Sequence, residues 1–187
     1  GSVVGTISLR RQSQLLAHNP TLSIKGLRGN IQTRLTKLLS GEFDAIILAT
    51  AGLERMGLQE HIREVLSTDI MLPACGQGAL GIESRTDDDE THQYLTPLND
   101  PLTALCVSTE RHVNGLLGGN CHVPLAVYCT TEGDSQLLLQ AKVATSDGQI
   151  ILSHREQGDR KQAIRLATQC AESLLANGAA TLLAANP

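Results

Sequence analysis

The chain has 187 residues, a net charge of −4, 41% apolar residues and only 2% aromatics, which supports one or two domains with an aliphatic core and argues against broad nucleic-acid binding. No apolar run reaches the about 18 residues needed to cross a bilayer, and no secretory signal opens the chain. Its five cysteines are scattered without a CxxC pair, which argues against a metal site and for a reduced, cytoplasmic protein with free thiols.

Three strand-then-helix units are predicted in the first third. A strand at about Ser2–Ile7 leads to a helix at about Leu9–His18, stopped by Asn19-Pro20 because proline cannot continue a helix. A second strand, Leu22–Leu27, precedes a helix that Asn30 caps and that Gly41 closes. The third strand, Asp44–Ala49, has the nearly continuous apolar run of a strand covered on both faces. A helical turn near Gly52–Met56 and a helix at about Leu58–Leu66 follow. Alternating strands and helices imply a parallel α/β sheet with right-handed crossovers.

The middle of the chain reads differently. "LPACGQGALGIESR" holds Gly76, Gly78 and Gly81, which permit unusual backbone angles, and Leu80–Glu83 reads as a short strand. "TDDDE", residues 86–90, is expected to cap a helix of about His92–Leu98. The last third reads as an α+β unit. A helix opened by Asp100-Pro101 ends near Leu117, and a turn covers Gly118-Gly119-Asn120. Three antiparallel strands follow at about Val123–Thr130, Leu137–Thr145 and Ile150–Arg155, with Asp147-Gly148 as a hairpin signal. A helix from Arg160 to Asn177 ends at Gly178.

Arginines mark the candidate site. Arg10 and Arg11 fall in the first turn of a helix, where unpaired N–H groups already carry positive charge. On the predicted layout Arg10, Arg11, Arg28 and Arg34 gather at the carboxyl rim of the parallel strands, where ligands bind open sheets. One such arginine reads equally well as a solvated helix residue; four on one rim point to a ligand bearing several carboxylates or phosphates. Arginine suits carboxylates because its planar fork engages both oxygens, each charge-assisted contact contributing about 1.5–3 kcal/mol. "GLRGN" is too short for a phosphate loop and lacks a GK[ST] ending, and "GQGALG" lacks the helix and the acid of a dinucleotide fingerprint.

In "LLGGNCHVPLAVY" Cys121 follows a flexible glycine turn that lets something bulky approach the thiol. Its neighbour His122 is a poor catalytic base, since adjacent residues of an extended chain point to opposite sides. A small buried apolar role remains open for Cys121, as it is expected for Cys75, Cys106, Cys129 and Cys170. The residues alone therefore leave a non-catalytic module for carboxylated metabolites and, less well, a cysteine hydrolase beside the reading that follows.

The segments "VGTISLRRQ", "LRGNIQTRL", "GEFDAIILATAGLERMGL", "LPACGQGALGIE" and "LLGGNCHVPLAV" together resemble the porphobilinogen deaminase (hydroxymethylbilane synthase) family in order and spacing, over nearly the whole chain. The resemblance implies a transferase of tetrapyrrole and heme biosynthesis that joins four porphobilinogen molecules, releasing ammonia, on a dipyrromethane primer. It implies a thioether from that cofactor to Cys121. Cofactor and substrate carboxylates would meet Thr6, Ser8, Arg10, Arg11, Arg28, Asn30 and Arg34, with Ala49, Gly52 and Gln77 lining the cleft. Its partners would be porphobilinogen and oligopyrrole intermediates, with no metal, nucleic acid or membrane. The implied fold is a partial three-layer α/β domain of periplasmic-binding-protein type (1–73), a crossover segment (74–98) and a C-terminal α+β domain carrying the cysteine (99–187). Nothing here matches the family's N-terminal domain, which holds its catalytic aspartate, so this stretch is expected not to turn over alone. The full-length family is expected to be monomeric, and the severed sheet edge gives this stretch a route to self-association. A glycine usual before the cysteine is Asn120, a residue that tolerates left-handed angles.

Overall fold

The structure, a computed structural model, describes residues 1–119 and 123–184. The chain forms β1 (Val3–Gly5), α1 (Leu9–His18), β2 (Ser23–Lys25), α2 (Ile31–Leu39), β3 (Ala45–Ile46) and α3 (Thr50–Arg55). After a long irregular stretch come α4 (Asp89–Leu95), α5 (Pro101–Leu116), β4 (Leu125–Glu132), β5 (Gln136–Ala144), β6 (Ile151–Asp159), α6 (Ala163–Ala176) and α7 (Ala179–Ala184). Two three-stranded sheets result: a parallel one ordered β2-β1-β3 and an antiparallel one ordered β4-β5-β6.

Local chemistry sets the ends of these elements. Ser8 caps α1 by accepting from the Arg11 N–H, and Asn30 caps α2 by accepting from the Thr33 N–H at 2.9 Å. Gly41 sits at φ +80°, while the N–H groups of Gly41 and Glu42 return to the carbonyls of Leu38 and Lys37, the Schellman closure that glycine permits. Asp100 caps α5 by accepting from the Thr103 N–H at 2.7 Å, with Pro101 in the first turn. Central in its sheet, β1 pairs Val4 with Ile24 on one side and Ala45 on the other. A Cβ on Gly5 would press within 2.9–3.0 Å of Phe43, Ile46 and Leu27, so the tight sheet-to-loop packing needs glycine there.

Two predicted elements are absent among the described residues. The expected helix at Leu58–Leu66 shrinks to a single 3₁₀ turn, Gln59–His61, after which Ile62 is extended. Its β-branched Ile62 and Val65 are poor helix formers, and Val65 is exposed, so no packed face rewards a helix. Leu80–Glu83 is not a strand, and Leu80 and Ile82 are exposed; a strand needs a ladder partner, and the parallel sheet offers none at that position. The acidic run starts its helix earlier than expected, with Asp88 as the cap, and α7 follows Gly178 unforeseen.

The main aliphatic core lies under the antiparallel sheet, where Val127, Leu137, Leu139 and Val143 pack on Val113 of α5 and on Leu166, Cys170 and Leu174 of α6. The sheet's hairpin also docks on the parallel unit. Gln12 of α1 donates to the Ser146 carbonyl at 3.0 Å, and Lys142 donates to the Asp69 carbonyl at 3.0 Å. Gly148, at φ +71°, lies flat against α1: a Cβ there would collide with the Ser13 carbonyl and fall 2.7 Å from the Ala17 nitrogen. Gly148→Ala is therefore expected to destabilise the protein by about 2–4 kcal/mol, from overpacking plus a disfavoured backbone angle, read as a lowered urea midpoint.

Candidate functional site

The carboxyl ends of β1, β2 and β3 feed the loops that carry the predicted site. Thr6 is buried, and its hydroxyl accepts from the Ser8 N–H at 3.2 Å, which shapes the turn into α1. That turn points the first helical residues back over the sheet rim. Arg10 is only 7% exposed. Its Nη1 donates to the Leu72 carbonyl at 2.7 Å and its Nη2 to Gln77 Oε1 at 3.2 Å. Arg11 is half-buried and donates from Nη1 to the Ile47 carbonyl, just past β3, at 2.8 Å. Burial, reinforced by Arg11, draws the Arg10 guanidinium down to about 10, and burial with repulsion from Arg34 lowers that of Arg11. Arg10 remains cationic at neutral pH, because a value of about 10 leaves the proton bound.

Arg10 and Arg11 open onto one cleft of about 260 Å³, whose wall also includes Gln77, Thr50, Glu64 and Tyr128. Arg34 is near enough for its charge to act on Arg11, and its Nε is anchored on the Gly29 carbonyl at 2.7 Å. Arg28 is exposed on the loop after β2. The structure thus brings Arg10 and Arg11 together in the cleft, with Arg34 acting on Arg11 through its charge; Arg34, Arg28 and Asn30 do not line the cleft, and Arg28 and Asn30 lie exposed on the loop after β2. Among the described residues none of the four arginines forms an ion pair with a carboxylate. Concentrated cations of this kind, held by neutral carbonyls and amides, suit an anionic ligand. Ala49 immediately precedes α3 without a side-chain cap. Gly52 lets α3 approach α2, since a Cβ there would fall 3.0 Å from Ile31 Cδ1.

Cys121, the predicted cofactor attachment point, lies outside the described residues, as do Asn120 and His122. The approach to it is fixed at Gly118 and Gly119: Gly118 sits at φ +65°, and the Gly119 N–H returns to the Asn114 carbonyl at 2.9 Å. The Asn114 side chain donates to the Gly119 carbonyl at 3.1 Å. Gly119 borders a larger open hollow of about 1270 Å³ shared with Cys75, Gly76, Arg111 and Leu80. Of the other cysteines, Cys129 and Cys170 are buried, whereas Cys75 and Cys106 are half-buried rather than core residues. Burial pushes all four thiols up, Cys170 to about 12, so none of them is poised as a thiolate nucleophile.

Two residues unnoticed in the sequence brace the site. Gln14, buried on the same face of α1 as Arg10, accepts from the Leu72 N–H at 2.8 Å and donates to the Leu72 carbonyl at 3.0 Å. Glu110 of α5 is 3% exposed, and its carboxylate takes the Gly76 N–H at 2.6 Å and the Cys129 N–H at 2.8 Å. It thereby pins from behind the residues next to Gln77 and Tyr128, two walls of the arginine cleft. The available signal was a polar residue at a helix position that the apolar periodicity assigns inward: Gln14 beside Leu15, Glu110 between Cys106 and Val113.

Two family models cover most of the chain. Residues 1–93 match the family model described as "Porphobilinogen deaminase, dipyromethane cofactor binding domain", and residues 104–176 match "Porphobilinogen deaminase, C-terminal domain". The chain is 58% identical over 186 residues to a protein named porphobilinogen deaminase from Legionella pneumophila strain Lens. It is 50% identical over 187 residues to the protein of that name from Thiobacillus denitrificans. All of this chain is covered in both comparisons, but it spans only 60% and 61% of those relatives' lengths.

Burial raises the Glu110 carboxyl above its ordinary 4.5, against the pull of its two N–H donors. A raised folded-state value favours the protonated form, so the stability this group contributes is full below about 4.5 and declines as pH rises through the raised value. Glu110→Gln removes that titration and turns an amide N–H toward a backbone donor, at about 1–3 kcal/mol. The stability gap between wild type and variant, from urea unfolding at pH 4 to 7, is expected to be widest at the acidic end and to narrow as pH rises.

Proposed function

Since this chain belongs to the porphobilinogen deaminase family, we propose that it forms the part of a hydroxymethylbilane synthase that holds the dipyrromethane cofactor and the carboxylates of the growing oligopyrrole. The observation that carries this reading is the pair Arg10 and Arg11, side by side in one cleft and, among the described residues, in ion-pair contact with no carboxylate, although Glu64 stands in the same wall. Pyrroles bearing acetate and propionate side chains bring the anionic oxygens that such guanidinium forks bind.

The donor set fits the cofactor. Arg10 and Arg11 supply the main positive charge, and Arg34, Arg28 and Asn30 extend it along the rim. Thr6, Ser8, Ala49 and Gly52 shape the backbone turns that bring those side chains together, and Gln77 stands at the cleft wall on the Arg10 guanidinium. Cys121 is the proposed attachment point, on the resemblance of "LLGGNCHVPLAV" to the family's cofactor turn. When bound, the cofactor supplies a covalent primer to which porphobilinogen units are added with loss of ammonia. The chain's own residues bind and orient carboxylates, and the neutral hydrogen-bond partners of Arg10 and Arg11 leave both guanidinium charges available to an arriving anion.

Intact-mass measurement of the complete gene product tests the attachment. The wild-type protein is expected to carry an adduct of two linked pyrroles that Cys121→Ala lacks; equal masses after allowing for the substitution would overturn it. Arg11→Leu is expected to weaken porphobilinogen or primer binding about tenfold or more, the scale of one lost charge-assisted contact, measured by calorimetry or KM. Carboxylate binding without adduct or turnover would instead favour a non-catalytic metabolite-binding module.

A further inference from the structure

We propose that Gln14 is the positioning residue of the arginine cleft: its side-chain amide fixes the Leu72 peptide and, through the Leu72 carbonyl, the plane of the Arg10 guanidinium. The inference rests on the carboxylate site proposed above, in which Arg10 faces the ligand.

Residues 62–67 and 71–74 belong to no helix or strand, so no ladder holds the Leu72 peptide. Gln14 supplies the missing partner. Its Oε1 accepts from the Leu72 N–H at 2.8 Å and its Nε2 donates to the Leu72 carbonyl at 3.0 Å, the two bonds that a neighbouring strand would otherwise make. The same Nε2 approaches the Arg10 carbonyl at 3.1 Å, one turn back on α1, and the Met71 sulfur at 3.7 Å. With Gln14 4% exposed and Leu72 fully buried, water has no access to compete for these bonds.

The Leu72 carbonyl also receives Arg10 Nη1 at 2.7 Å. A carbonyl oxygen has two lone pairs, and here the amide takes one and the guanidinium the other. Arg10 Nη2 is held separately by Gln77 Oε1 at 3.2 Å. Two anchor points define the plane of a rigid guanidinium, and its remaining donors are left for the cleft it lines. Remove the Gln14 amide and the Leu72 peptide loses both ladder bonds. The carbonyl is then free to turn, and the Arg10 fork turns with it. Bidentate recognition of a carboxylate is lost when that plane rotates.

The test uses the complete gene product with Gln14→Met, which conserves shape and removes the amide, and Gln14→Glu, which keeps an acceptor for the Leu72 N–H but removes the donor to its carbonyl. Rotation of the Arg10 guanidinium is followed by nitrogen-15 NMR, alongside steady-state kinetics with porphobilinogen and a melting curve. The expected result is slow rotation in wild type and at least about tenfold faster rotation in both variants, with KM raised about tenfold and kcat changed less than about threefold, the pattern of lost carboxylate binding. Unchanged rotation in either folded variant overturns the proposal; should Gln14→Met fail to fold, Gln14→Glu decides. Faster rotation in a protein that never converts porphobilinogen supports the positioning role and refutes the functional reading of the cleft.

Discussion

A guanidinium is costly to bury without an anion beside it, and the placement of Arg10 is organised around meeting that cost with neutral groups. The carbonyl of Leu72 and the amide of Gln77 take its donors; Gln14 secures the carbonyl, and Glu110 secures the turn that carries Gln77. None of these partners cancels the positive charge. Among the described residues no buried side-chain nitrogen or oxygen lacks a partner, so the polar interior is complete while the electrostatic imbalance of the cleft persists. A carboxylate in place of the Gln77 amide would stabilise the empty site and compete with an anionic ligand.

Contacts of a similar kind join the two sheets. Apolar packing dominates under the antiparallel sheet, but across the junction the recurring contact is a side chain on a main-chain group: Gln12 on Ser146, Lys142 on Asp69, Glu110 on Gly76. Such bonds fix distance and direction more tightly than apolar contact does. They locate the irregular stretch from 62 to 78, which has little regular structure of its own yet carries Gln77 and borders both hollows.

The elements set by local chemistry were legible in the sequence. Leu9–His18, the Asn30 cap, the Gly41 closure and Asp100-Pro101 appear where their residues put them, because a cap or a positive-φ turn is decided within a few residues. The sheets themselves followed from apolar patterning, but the third parallel strand, expected over Asp44–Ala49 and covered on both faces, is only Ala45–Ile46, with Ala45 exposed, because it is an edge strand paired on β1 alone. What stayed hidden depended on partners distant in the chain. The helix expected at Leu58–Leu66 lacks a surface to pack on, and Leu80–Glu83 lacks a strand to pair with. The arginines were found as charges, but not their acceptors, since residue spacing says nothing about where the carbonyls of Ile47 and Leu72 point. Gln14 and Glu110 carry no local signal of their role, because each sits inside an otherwise ordinary helical pattern.

The seating of Gly148 on α1 reaches beyond its own hairpin. A turn with no side chain lets the backbone of one sheet touch the backbone of a helix belonging to the other, and Gln12 locks that contact. Neither half can loosen without exposing the other's main chain to water, so heat or denaturant should melt both together, in a single cooperative transition rather than two separate steps.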